Sequence, residues 1–149
     1  MNKRFLIIPF VTLILLSANS YSATEAIDIG HPGDVSKVTR TIDLSQVDNR
    51  FLPAELTVEE GETIRFEIKN NGSSRHEMLI GSMADLKEVA GMRHKFPDKA
   101  HDEANLMRLE PGEQKQLVWH FSSAGIVDFA CPLPGHFKKM RGTITVEKK

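Results

Sequence analysis

Ile64-Arg65-Phe66-Glu67-Ile68-Lys69 alternates apolar and charged side chains without a break. Successive side chains of a β-strand point to opposite faces, so this stretch predicts a strand with one dry face and one wet face. Leu117, Trp119 and Phe121 repeat the pattern, as do Ile144 and Val146 near the C-terminus. Weaker strands are expected at residues 38–44 and 55–58. Glu60-Gly61-Glu62 and Pro111-Gly112-Glu113 supply turn chemistry directly before two of the strands. About seven short strands with regular turns bury their apolar faces by stacking two sheets, which predicts an all-β sandwich with Greek-key connections.

One segment breaks the β rhythm. Residues 82–93 carry apolar side chains at Met83, Leu86, Val89 and Ala90, with Ser82 and Asp85 spaced as a capping box, and predict a short helix. The stretch that follows, up to Asn105, contains Pro97 and several charges and reads as a long surface loop. Five soft or borderline donors fall in or near this insertion: Met83, Met92, Met107, His94 and His101. The amphipathic spacing already accounts for Met83 as packing, so no second metal site is expected there.

Chemistry concentrates downstream, in Gly125-Ile126-Val127-Asp128-Phe129-Ala130-Cys131 and the loop Pro132-Leu133-Pro134-Gly135-His136-Phe137-Lys138-Lys139-Met140. Cys131 is in phase with Val127 and Phe129 and opposite to Asp128, so it faces the core. Burial alone would explain a cysteine there, since free cysteine is among the most buried residue types. It does not explain a histidine and a methionine at short fixed offsets beyond a tight Pro-Leu-Pro-Gly turn. A thiolate, an imidazole and a thioether on one loop, joined by a second imidazole from elsewhere, form the His2Cys set with a weak axial methionine that a type 1 copper centre requires. The candidate for the remote imidazole is His76, in Ser74-Arg75-His76-Glu77-Met78. His120 alternates away from Trp119 and reads as a solvent-facing or hydrogen-bonded strand histidine.

Length and composition set the frame. The 149 residues suit one domain, and 26% charged with 40% hydrophobic is ordinary for a globular chain. Lys3 and Arg4 precede an apolar run and then small residues up to Ala23, the layout of a secretory signal peptide. The run is shorter than the ~20 residues of a membrane span. Cleavage after Ala23 and after Ser20 are both compatible with the sequence. The expected organisation is a signal peptide at 1–23, an N-terminal tail at 24–35 and one domain at 36–149, exported to the periplasm as a soluble monomer. Removing the leader takes two of the 19 basic residues and no acidic one, leaving 17 against 20. No basic stripe and no glycine-rich phosphate loop supports nucleic-acid or nucleotide binding. One cysteine cannot close an internal disulfide, which leaves burial, pairing between chains or a metal.

The pattern Cys-x4-His-x3-Met, followed by Arg141-Gly142-Thr143-Ile144-Thr145-Val146, resembles the C-terminal end of azurin-type cupredoxins. It is similar further to the periplasmic CopI-type cupredoxins linked to copper tolerance. That resemblance rests on Gly30 to Gly33, Val38-Thr39-Arg40-Thr41-Ile42, His76-Glu77-Met78, Lys95-Phe96-Pro97, Leu117-Val118-Trp119 and the ligand loop. It covers nearly the whole chain after the leader. It implies a cupredoxin fold, one copper ion held by His76, Cys131, His136 and Met140, and no catalytic activity. It also implies an amide donor to the cysteine sulfur at Leu133, and an apolar docking patch of Leu133, Pro134 and Phe137 around His136 for a redox partner or a periplasmic copper-handling protein. Two departures stand out. Azurins and plastocyanins usually carry asparagine after the first histidine ligand, where this chain has Glu77. CopI-type proteins usually have one more residue between the second histidine and the methionine. The implied function is a single-electron carrier; the alternative is a copper-tolerance protein that binds, buffers or hands on copper. A multicopper enzyme would need further histidine-rich sites, which the remaining histidines do not provide, and no Ser-His-Asp set or paired carboxylates stand in for them.

Overall fold

The computed structural model describes residues 26–97, 99 and 101–149, so the signal-peptide reading lies outside the described residues. Ten strands and one α-helix follow in order: β1 (His31–Pro32), β2 (Arg40–Val47), β3 (Arg50–Leu52), β4 (Glu55–Glu59), β5 (Thr63–Asn70), β6 (His76–Gly81), α1 (Met83–Lys95), β7 (Leu106–Leu109), β8 (Gln114–His120), β9 (Gly125–Ala130) and β10 (Arg141–Glu147). One sheet runs β1-β8-β5-β2-β3 and the other β4-β10-β9-β6-β7. Both are mixed: β2 pairs β5 in parallel, and β4 pairs β10 in parallel. The result is the expected β-sandwich, with more and shorter strands than the alternation alone indicated.

The alternating residues are the core. Ile64, Phe66 and Ile68 of β5 are fully buried, as is Ile144 of β10. In register, Phe66 of β5 faces Leu117 of β8 and Leu44 of β2 faces Ile68 of β5. Phe51 of one sheet meets Phe129 of the other edge to face, ring centroids 5.0 Å apart, and this contact ties the two layers together.

α1 lies on the outer face of the second sheet. Its N-cap is Ser82, whose Oγ accepts from the Asp85 amide. Leu86 packs with Leu79 of β6 and Ala130 of β9, and Val89, Leu106 and Phe137 surround that small second core. The helix thereby covers the second face of β6, all six residues of which are buried. A strand dry on both faces has no period-two signal, which is why the sequence did not announce β6.

The segment read as an N-terminal tail at 24–35 is part of the sandwich from Ile29 onward. Trp119 Nε1 donates to the Ile29 carbonyl (2.6 Å), His31 pairs with His120 across β1 and β8, and the Gly33 amide donates to the Val118 carbonyl (3.0 Å). The free edge of β8 needs a partner for its backbone groups, and this segment supplies one. His120 is a satisfied strand histidine, its Nδ1 lying 2.9 Å from Thr63 Oγ1.

Candidate metal centre

β6 and β9 are antiparallel neighbours, with Leu79 opposite Ala130. The first residue of β6 therefore lies beside the chain as it leaves β9, which brings His76 to the Cys131 loop. The loop closes on itself: the Cys131 amide donates to the Met140 carbonyl (3.0 Å), and the His136 carbonyl accepts from the amides of Lys139 (3.0 Å) and Met140 (2.9 Å). Gly135 takes a positive φ of 83° at the turn, a conformation that a side chain resists.

Candidate donor atoms of His76, Cys131 and His136 all lie within 4.8 Å of one another. His76 Nδ1 is 3.2 Å from His136 Nδ1, and Cys131 Sγ is 3.5 Å from the same His136 nitrogen. His76 and Cys131 are buried, whereas His136 is partly exposed and forms the solvent side of the cluster. Met140 is fully buried and belongs to the main core, as Cys131 does.

The surroundings orient these donors. His76 Nε2 is 3.1 Å from Asp48 Oδ1, so a proton on Nε2 is held by the carboxylate and the Nδ1 lone pair turns inward. Asp48 in turn accepts from the Ser73 amide (3.0 Å) and hydroxyl (2.8 Å), and these bonds, the hydroxyl foremost and His76 next, hold its carboxyl below the usual range. Gly72 leaves the room: a Cβ there would sit 2.9 Å from His76 Nε2 and crowd the Asp48 carboxylate. On the sulfur side the Glu77 amide donates to Cys131 Sγ at 3.4 Å. Burial pushes the Cys131 thiol up to about 11, against the pull of the Glu77 and Leu133 amides. Burial, and then the neighbouring His76, hold the His136 imidazole below its ordinary value.

Copper fits this donor set. Two imidazole nitrogens turn toward one sulfur, the sulfur is soft, and a thiol that resists ionisation by itself gives up its proton to a bound cation. The Leu133 amide, the sulfur donor that the resemblance implied, pulls the Cys131 pKa down less than the Glu77 amide does. Sequence reasoning missed Asp48 and the Glu77 amide, because neither has a spacing rule that ties it to the loop.

Met83 and Met92 of the insertion do not come together. Met83 and Met92 are nine positions apart on α1, about 13 Å along its axis at ~1.5 Å per residue. Met107 is on β7 opposite Met78, and His101 Nδ1 pairs with Glu103 (2.9 Å). Among the described residues, His76, Cys131 and His136 are the one metal-capable group of histidine, cysteine and carboxylate side chains.

The model of the cupredoxin-like domain family matches residues 6–146. The chain is 40% identical over 119 residues to the copper-resistant cuproprotein CopI of Rubrivivax gelatinosus, covering 78% of this chain and 72% of that one. It is 30% identical over 148 residues to the protein of the same name from Pseudomonas aeruginosa, covering 79% and 82%. Among solved structures, auracyanin B superposes with a TM-score of 0.66 at 19% identity, covering 79% of this chain and 96% of that one, a likeness of fold.

Proposed function

The chain belongs to the cupredoxin-like family and binds copper, and from that premise we propose that it is a periplasmic single-electron carrier with a type 1 site made of His76, Cys131, His136 and axial Met140. Bound there, copper supplies the Cu(I)/Cu(II) couple. The protein supplies a fixed cage. His76 is locked by Asp48, Cys131 by strand β9 and the Glu77 amide, and His136 by a loop closed onto β10. Donors that stay put through a redox change lower its reorganisation cost, and exclusion of water from the sulfur serves the same end.

The observation that carries the carrier reading is the position of His136. It is the partly exposed member of the cluster, and its loop neighbours, though not His136 itself, line a groove of about 550 Å³. Leu133, Pro134 and Phe137 line the groove from the loop, and α1 closes it with Ala90 and Gly91. Lys87, Lys95 and Lys138 also line it, and among the described residues no acidic one does, which suits a redox partner with an acidic rim around an apolar centre. The second reading is copper tolerance, in which the same site binds and hands on copper; it is favoured by the names of the CopI relatives. A deletion strain separates the two. A respiratory defect without added copper, restored by the gene, supports the carrier; sensitivity to copper salts with normal respiration supports tolerance and sinks the carrier.

Met140 has its own test. Met140→Leu keeps volume and apolarity in the core, so copper is expected to stay bound. The reduction potential is expected to rise, since losing an axial donor disfavours Cu(II) more than Cu(I). A potentiometric titration with unchanged potential and spectrum would remove the thioether from the site.

A further inference from the structure

A carboxylate lies buried beside the metal centre. Glu77 follows His76 on β6, and its side chain has no exposure to solvent. Two guanidinium groups reach it from different elements. Arg93, in the last turn of α1 and itself 4% exposed, places its Nη2 2.9 Å from Oε2 and donates through Nη1 to Oε1 at 3.2 Å. Arg108, opposite Glu77 in the β6–β7 register, donates through Nε to Oε1 at 2.9 Å. A lone buried charge would be strongly disfavoured, so one carboxylate between two cations is a stable arrangement only as a set. The set carries a net charge of one positive unit.

We propose that Glu77, Arg93 and Arg108 form a positioning and charge-setting clamp for the copper site. The clamp fixes the Glu77 backbone, whose amide donates to Cys131 Sγ at 3.4 Å, and so holds the hydrogen bond on the sulfur. It also ties α1 to the ligand end of the sandwich, since Arg93 is the charged side chain that the helix buries. Its net positive charge, with Glu77 and Arg93 buried and Arg108 half-exposed, favours Cu(I) over Cu(II). The clamp acts in either functional reading, and it rests on the proposal that Cys131 ligates copper.

The test measures reduction potentials of the copper-loaded mature protein and three variants. Glu77→Gln removes the negative member and is expected to raise the potential. Arg93→Met and Arg108→Met each remove a positive member and are expected to lower it, Arg108 less because it is 41% exposed. The expected change for Glu77 and Arg93 is about tenfold in the Cu(I):Cu(II) ratio, or ~59 mV for one electron. Opposite signs are the signature of charge. A site merely loosened by lost packing would drift in one direction in all three variants, and that result, or potentials equal to the parent, would overturn the proposal. Arg108→Met, at the half-exposed edge, keeps the test open should the buried variants not fold. Absence of the thiolate-to-copper band from the parent protein would instead count against the ligand assignment.

Discussion

Replacing Cys131 with serine is expected to abolish the intense visible band of the oxidised, copper-loaded protein and to weaken copper binding by more than ~100-fold, the upper end of what loss of an outer partner costs a metal site. The band requires a thiolate ligand, and a serine hydroxyl is a hard donor that stays protonated near neutral pH. The fold has little reason to change. Cys131 sits at the end of β9, where its backbone amide binds the Met140 carbonyl and the side chain occupies a small buried volume. Absorption spectroscopy with a competing Cu(I) chelator gives both readouts. A variant that keeps the band would place the metal elsewhere.

Gly142→Val is expected to destabilise the protein by about 3 kcal/mol or more, the upper range for overpacking a core. Gly142 sits opposite Phe129 in the β10–β9 register, and β10 lies between β4 and β9. A Cβ at that position collides with the Phe129 ring and with the Ala54 carbonyl oxygen. Neither neighbour can yield cheaply: Phe129 is edge to face with Phe51 across the sandwich, and Ala54 O already accepts the Thr143 amide at 2.8 Å. The melting temperature is expected to fall by roughly 12 °C or more at ~4 °C per kcal/mol for a domain of this size. Gly91→Ala provides the contrast. It lies in α1 with nothing within 4 Å of the added carbon, so alanine is expected to stabilise by up to ~1 kcal/mol through helix propensity. Equal melting temperatures for the parent and Gly142→Val would show that the sheet accommodates the side chain.

The sandwich was legible wherever one face of a strand is wet. Residues 64–69 alternate because Arg65, Glu67 and Lys69 face away from the core, and β8 and β10 are legible for the same reason. β6 was not, since α1 dries its outer face, and β1, β3 and β7 are too short to show a period. The helix announced itself through a local device, the Ser82–Asp85 cap. The same division runs through the site. Cys131, His136 and Met140 share one loop, so their spacing is written in the chain. Asp48 reaches His76 across 28 positions, and Arg108 reaches Glu77 across 31, through pairings that only the folded sheets create. Glu77 stood out in the sequence as a departure from asparagine; its partners became visible with the register of β6 against β7 and the docking of α1.

The most direct test of the site is anomalous diffraction at the copper edge from crystals of the copper-loaded protein. One strong peak is expected, bounded by His76 Nδ1, His136 Nδ1 and Cys131 Sγ, with the Met140 sulfur on the axial side. A principal peak anywhere else, on the methionines and histidines of the insertion or on the exposed surface, would contradict the account.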